Sequence, residues 1–173
     1  NLLTVLTWYR QFCRDQGHAV DEIVLQRALG QVRLPGRFEC LATEPLVVID
    51  GAHNPDGIRQ FVRSVQERYG GYDLTIVTGF LKDKAVAECL QLLTQLPARF
   101  ILTTPINQDD RQLPVAELGA LYTQITGQTA PEYPAIEAAL KAASQPATGN
   151  KPQVILVVGS FYLLKTVRQH FLS

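Results

Sequence analysis

The residues best equipped for chemistry crowd into one short stretch, Asp50-Gly51-Ala52-His53-Asn54-Pro55-Asp56-Gly57, directly behind the apolar run Leu46 to Ile49. A carboxylate at the end of a buried strand can accept hydrogen bonds from a ribose diol, as the acidic residue of dinucleotide folds does, so Asp50 is a candidate ribose ligand. Gly51 and Ala52 leave room for a ligand to approach the backbone. His53 can donate to a phosphate oxygen or carry a proton. Asn54 can present its amide to a carboxylate or an amine. Pro55 suits the first turn of a helix whose free N–H groups favour an anion. The same residues also read as two caps, an exposed loop histidine and turn-forming glycines, and spacing alone does not name a ligand.

Three further places could take part. Gly159-Ser160 follows the run Val154 to Val158 and opens the last helical pattern. Ser160 is either a helix cap or a hydroxyl that, with neighbouring N–H groups, holds a substrate carboxylate. In Gly79-Phe80-Leu81-Lys82-Asp83-Lys84 the lysines can neutralise a carboxylate or phosphate, or form a solvated charge cluster. Arg37, in Pro35-Gly36-Arg37, offers a planar fork for phosphate or a stacking partner for a base. The sequence has no Gly-x-x-x-x-Gly-Lys-Ser/Thr phosphate loop, Gly-x-Gly-x-x-Gly turn, Gly-x-Ser-x-Gly elbow or zinc-spaced cluster. His18, His53 and His170 fall on different elements, so no metal ligands are assigned.

Elements able to position these residues are visible in the hydrophobic pattern. Leu3, Leu6, Tyr9, Arg10 and Cys13 recur at helical spacing before a stop at Gly17, and Asp21 is placed to cap a second helix ending near Gly30. Leu34-Pro35-Gly36-Arg37 breaks the helical pattern, so residues 1–34 are expected to form a helical segment and residues 35–173 an α/β domain. In that domain the short apolar runs Phe38 to Leu41, Leu46 to Ile49, Leu74 to Val77, Phe100 to Thr103 and Val154 to Val158 predict strands. Between and after them, Gly57 to Arg68, Ala85 to Gln95, Val115 to Thr126, Ala135 to Ser144 and Tyr162 to Phe171 predict helices. This alternation means an open, mostly parallel sheet with helices on both faces. Right-handed crossovers bring the post-strand loops to one edge, where ligands bind. Asp50 to Asp56, Gly79 to Lys84, Thr103 to Arg111 and Gly159-Ser160 should therefore meet there.

Composition narrows the class. Sixteen basic and sixteen acidic residues balance, which argues against a nucleic-acid footprint. Cys13, Cys40 and Cys89 are odd in number and set in apolar surroundings, and read as reduced core residues of a cytosolic protein. No apolar run is long enough to span a bilayer and no signal segment opens the chain, so a soluble, cytoplasmic protein is expected. The chain lacks methionine and opens at Asn1 inside a helical pattern, as a piece of a longer protein would.

The string LPGRFE, then PLVVIDGAHNPDG, GFLKDK and VVGSFYLL in that order, resembles the folylpolyglutamate and dihydrofolate synthases of the Mur ligase superfamily. The Gly in DGAHNP favours that branch over the cell-wall Mur ligases and cyanophycin synthetase, which more often carry Tyr there. The resemblance implies a Rossmann-like C-terminal domain working with an N-terminal ATPase domain of the same chain, ATP being bound between them. It implies a reaction in which ATP and Mg2+ activate a folate or dihydropteroate carboxylate as an acyl phosphate, which L-glutamate then attacks. By the same resemblance Asn1, Arg37 and Asp50 contact ATP, His53 lies near the phosphates or the incoming amino acid, and Asn54 and Ser160 hold glutamate. The Mg2+ ligands and a carbamylated lysine belong to the N-terminal portion. Lys84 matches an Asp-Lys pair whose following acidic residue is Ala85 here, so its role stays open. A monomer is expected. Another Mur-type amide ligase, or a nucleotide-binding module without catalysis, would use the same folded domain.

Overall fold

Continuous apolar strands can only be stable if both faces of their sheet are covered, and the chain supplies helices for both. The computed structural model describes residues 2–32, 34–106, 110–145 and 150–172. The chain divides into two units, Asn1–Leu34 and Pro35–Ser173.

The first unit holds helices α1 (Leu2–Asp15) and α2 (Glu22–Gln31). Gly17 takes the left-handed conformation (φ 69°) that ends α1. Asp21 caps α2, its carboxylate accepting from the N–H groups of Ile23 and Val24, both at 3.0 Å. Arg10 reaches across to Glu22 at 3.0 Å. Cys13 is buried, while Leu3, Trp8 and Ile23 are exposed.

In the second unit β1 (Glu39–Thr43), β2 (Leu46–Asp50), β3 (Asp73–Thr78), β4 (Ala98–Thr103), β5 (Glu132–Tyr133) and β6 (Gln153–Val158) form one sheet in the order β1-β2-β6-β3-β4-β5. All neighbours are parallel except β1, which pairs antiparallel with β2 at the edge. Side chains alternate between faces along each strand. Val48, Ile76, Leu102 and Leu156 point into a core covered by α3 (Pro55–Tyr69), α4 (Val86–Leu93) and α5 (Val115–Thr126). Val47, Val77, Ile101 and Ile155 point the other way, into a core covered by α6 (Ile136–Ala143) and α7 (Phe161–Leu172).

Several details differ from the sequence reading. The first strand starts after Phe38, because Phe38 has a positive φ of 45° that no regular strand accommodates. Helix α3 starts two residues earlier than the apolar pattern suggests, with Pro55 in its first turn, and α4 is shorter at both ends. Strand β5 was not expected. It is two residues long and lies between Pro131 and Pro134, which cannot donate to a ladder. Cys13 and Cys89 are buried, but Cys40 is exposed on the edge strand rather than in the core.

Strand β6, last in sequence, lies between β2 and β3, and the chain leaves it toward the opposite face from α3 and α4. Strand ends whose continuations part to opposite faces leave a crevice between them. Gly159 makes the exit from β6. Its φ is +119°, and a Cβ there would stand 2.6 Å from the Gly79 carbonyl oxygen and 2.8 Å from the Thr78 hydroxyl. Gly159→Ala should therefore destabilise the domain by about 1–3 kcal/mol in denaturant unfolding. Gly71→Ala, where nothing lies within 4 Å of the added carbon, should be neutral or slightly stabilising.

Candidate functional site

A half-buried carboxylate needs donors, and Asp50 finds two in the backbone. Oδ1 accepts from the Ala52 N–H at 2.7 Å and Oδ2 from the Phe38 N–H at 2.8 Å. Burial pushes the Asp50 carboxyl above its ordinary value of 3.8, against the opposing pull of these two N–H groups and of the Arg37 charge. The segment before β1 is fixed from the same side. The Gly36 carbonyl accepts from Gly51 N at 2.7 Å. Gly36 N donates to the Glu39 carboxylate at 2.7 Å, and Glu39 also pairs with Arg168 of α7. The Phe38 ring packs on Phe61 and Tyr69, with the Arg68 guanidinium 5.2 Å from its centroid.

His53 lies in the turn between β2 and α3. Its Nδ1 is 2.8 Å from the Gly51 carbonyl oxygen. A carbonyl only accepts, so Nδ1 carries a hydrogen, and in the neutral ring Nε2 is then the acceptor. Asn54 caps α3 from an extended conformation, its side-chain oxygen accepting from Gly57 N at 2.8 Å. Ser160 is buried at the start of α7, and its hydroxyl oxygen accepts from Tyr162 N at 3.2 Å. The Gly159 N–H donates to the Ala52 carbonyl at 3.0 Å and ties the two turns together.

Loops after β2, β3, β4 and β6 meet around a cavity of about 200 Å³. His53, Lys84, Arg111, Ser160, Phe161 and Tyr162 line it, with Leu81 and Gly159. Lys84 pairs with Asp83 at 3.1 Å, Arg111 lies 3.8 Å from the same carboxylate, and Arg111 donates to the Tyr162 hydroxyl at 3.5 Å. The hydrogen bond from Lys84, then the charges of Lys84 and Arg111, holds the Asp83 carboxyl below its ordinary value. A larger hollow of about 610 Å³ opens among Thr94, Leu96, Phe100 and Tyr122, but no charged side chain lines it. Of the two, only the smaller cavity gathers the loops that follow the strands.

Of the residues singled out from sequence, His53, Ser160 and Lys84 line this cavity. Asp50 sits at the end of β2 beside it, and exposed Arg37 lies with its guanidinium carbon 5.1 Å from the Phe161 ring centroid. Asn54 is one residue from His53 but exposed, and it does not line the cavity. Asn1 lies outside the described residues. Arg111, Phe161 and Tyr162 were missed. Arg111 falls within a loop assigned to the ligand edge without being singled out, Tyr162 reads as the first residue of a helix, and Phe161 is given no role.

The family described as "Mur ligase, glutamate ligase domain" matches residues 36–161. Folylpolyglutamate synthase of Lacticaseibacillus casei is 32% identical over 149 residues, covering 86% of this chain and 32% of that enzyme. The Mycobacterium tuberculosis folylpolyglutamate synthase structure, complexed with ADP and AMPPCP, has a TM-score of 0.79 at 23% identity, covering 92% of this chain and 37% of that one. A bifunctional folylpolyglutamate synthase/dihydrofolate synthase with Mn, AMPPNP and L-glutamate bound has a TM-score of 0.71 at 25% identity, covering 83% and 33%. The chain spans only 17% to 32% of the length of the first curated relatives it matches.

Asp50 yields a prediction that needs no ligand. Asn in its place would keep one acceptor and turn an NH2 group toward a backbone N–H, costing about 1–3 kcal/mol. Because the folded-state pKa of Asp50 is raised, the native state holds this proton more tightly than the unfolded chain. Its contribution to stability therefore falls as pH rises from 3.8 through the raised value. Urea unfolding across the acid range should show the advantage of wild type over Asp50→Asn narrowing with increasing pH.

Proposed function

The chain belongs to the Mur ligase glutamate-ligase domain family, and from that premise we propose that Pro35–Ser173 is the C-terminal domain of an ATP-dependent ligase joining L-glutamate to a folate or to dihydropteroate. The observation that carries this is the small basic cavity at the strand ends, with Asp50 and Arg37 beside it. At about 200 Å³ it suits an amino acid. It falls below the ~300–1,000 Å³ of sites for larger organic ligands.

Ser160, Lys84 and Arg111 hold the glutamate carboxylates in this reading, with the Asn54 amide nitrogen donating from the rim. The His53 Nε2, left as the acceptor, takes the proton that the glutamate amine gives up on forming the amide. Arg37 and Asp50 hold ATP. Both Asp50 oxygens already accept an N–H, yet each keeps a second lone pair for a ribose hydroxyl. ATP supplies the phosphoryl group that activates the acceptor carboxylate. The Mg2+ ligands are assigned to an N-terminal ATPase domain of the same protein, as the family resemblance implies; among the described residues no group of three or more His, Cys, Asp or Glu could hold a metal ion. Residues 1–34 form the tail of that domain, and Leu3, Trp8 and Ile23, exposed here, are available to pack against it. The enzyme acts as a cytoplasmic monomer. Among the described residues no helix is long and apolar enough to cross a membrane.

The direct test is amide formation by the full-length protein with ATP and glutamate, dihydropteroate and tetrahydrofolate being compared side by side. Absence of an ATP- and glutamate-dependent product with both acceptors overturns the proposal. Within an active enzyme, Arg37→Ala or Asp50→Ala should weaken apparent ATP affinity about ten- to a hundredfold, the value of a charged hydrogen bond. Lys should replace Arg37 poorly. Ser160→Ala should raise the glutamate Michaelis constant severalfold with ATP saturation nearly unchanged. A pure cap would lose about 1 kcal/mol of stability and leave the kinetics alone.

A further inference from the structure

The Phe161 ring touches residues from each part of the proposed site while belonging to neither apolar core. It opens α7 and is 44% exposed. The Arg37 guanidinium carbon lies 5.1 Å from its centroid. The His53 ring meets it edge-on at 5.7 Å. Its third neighbour is an absence of side chain: a Cβ on Gly51 would come 2.3 Å from Phe161 Cε1 and 2.4 Å from Cζ. Real Cβ atoms do not approach that closely, so the ring fills the volume a side chain at position 51 would need.

We propose that Phe161 is a positioning residue. Seated against the bare α-carbon of Gly51, its ring holds the Arg37 guanidinium and the His53 imidazole in place beside Asp50 and Ser160. Arg37 is exposed on a long flexible stem, and a flat aromatic face restricts where its fork can lie. His53 is fixed at Nδ1 by the Gly51 carbonyl, and the edge-on contact with Phe161 sets the ring plane and hence the direction of Nε2. Gly51 serves both contacts: its carbonyl orients His53, and its missing side chain admits the ring. The roles of Arg37 and His53 rest on the ligase reading, whereas the packing of the three residues stands without it.

The test uses the full-length protein with Phe161→Ala, Phe161→Tyr, Gly51→Ala and the Gly51→Ala/Phe161→Ala double variant. Phe161→Ala should raise the ATP Michaelis constant about two- to fivefold, the value of an exposed cation–π contact. It should also lower kcat, with little change in Tm because the ring lies outside both cores. Phe161→Tyr should restore both constants. Gly51→Ala should reproduce the kinetic defect by displacing the ring, and adding it to Phe161→Ala should cost nothing further. Unchanged constants in Phe161→Ala, a loss that only follows Tm, or effects of the two single variants that multiply in the double would each overturn the proposal. NMR of the His53 ring protons supplies a readout without turnover. If wild type forms no amide, the ligase reading fails while NMR still decides the positioning: changed NOE contacts between the His53 ring protons and the backbone around it in Phe161→Ala support it, and a resonance that shifts with those contacts unchanged overturns it.

Discussion

Strand β6 is the last to be made and must enter the middle of the sheet. It hydrogen-bonds to β2 on one side and β3 on the other, so neither core is complete until the C-terminal part of the chain has come back. Its parallel register sets Val158 level with Asp50 on one flank and Thr78 on the other. The turns that follow the three strands therefore leave the sheet at the same height. Since α7 departs toward the opposite face from α3 and α4, the chain parts beyond these turns, and the cavity lined by His53, Lys84 and Ser160 lies at this edge. Site geometry is thus a consequence of strand order before any single side chain is considered.

Crowding at that edge dictates small residues. Gly79 approaches the Thr103 carbonyl so closely that a Cβ would lie 2.4 Å from its oxygen, and Gly159 approaches Gly79 in turn. Adjacent strand ends are thereby packed backbone to backbone, with Thr78 donating its hydroxyl to the Val158 carbonyl at 2.9 Å beneath them. Asp50 performs the matching task on the other flank. It joins the segment entering β1 to the turn leaving β2 through two N–H groups, at a desolvation cost visible in its raised pKa. A carboxylate so held is rigid, which suits a group meant to meet a ligand.

Strand and helix content was largely legible because β2, β3 and β6 are continuous apolar runs, and the helices between them keep a clear period. The meeting of four loops at one edge was legible too, since it follows from right-handed crossovers alone. What escaped was local. Strand β5 is too short to show a period, and the left-handed backbone of Phe38 has no signature in residue type. Cys40 lies in the mostly apolar stretch Phe38 to Ala42, but its strand is at the edge. In the site, polar residues in turns could be picked out by type, whereas Phe161 could not. An aromatic at a helix start reads as core until its contacts with Arg37, His53 and Gly51 are seen.

Caps account for Asn54 and Ser160 in the folded chain, yet capping uses only part of each side chain. Asn54 accepts through its carbonyl oxygen, which leaves the amide nitrogen to donate. Ser160 accepts at its oxygen from Tyr162 N, which leaves the hydroxyl proton free to point elsewhere. Each cap thereby fixes a donor beside a helix N-terminus, where the backbone already favours negative charge. A carboxylate substrate would meet donors oriented by the fold itself. Capping and ligand binding at this edge draw on different atoms of the same residues, and the stability of the helix starts is what would hold the binding groups in position.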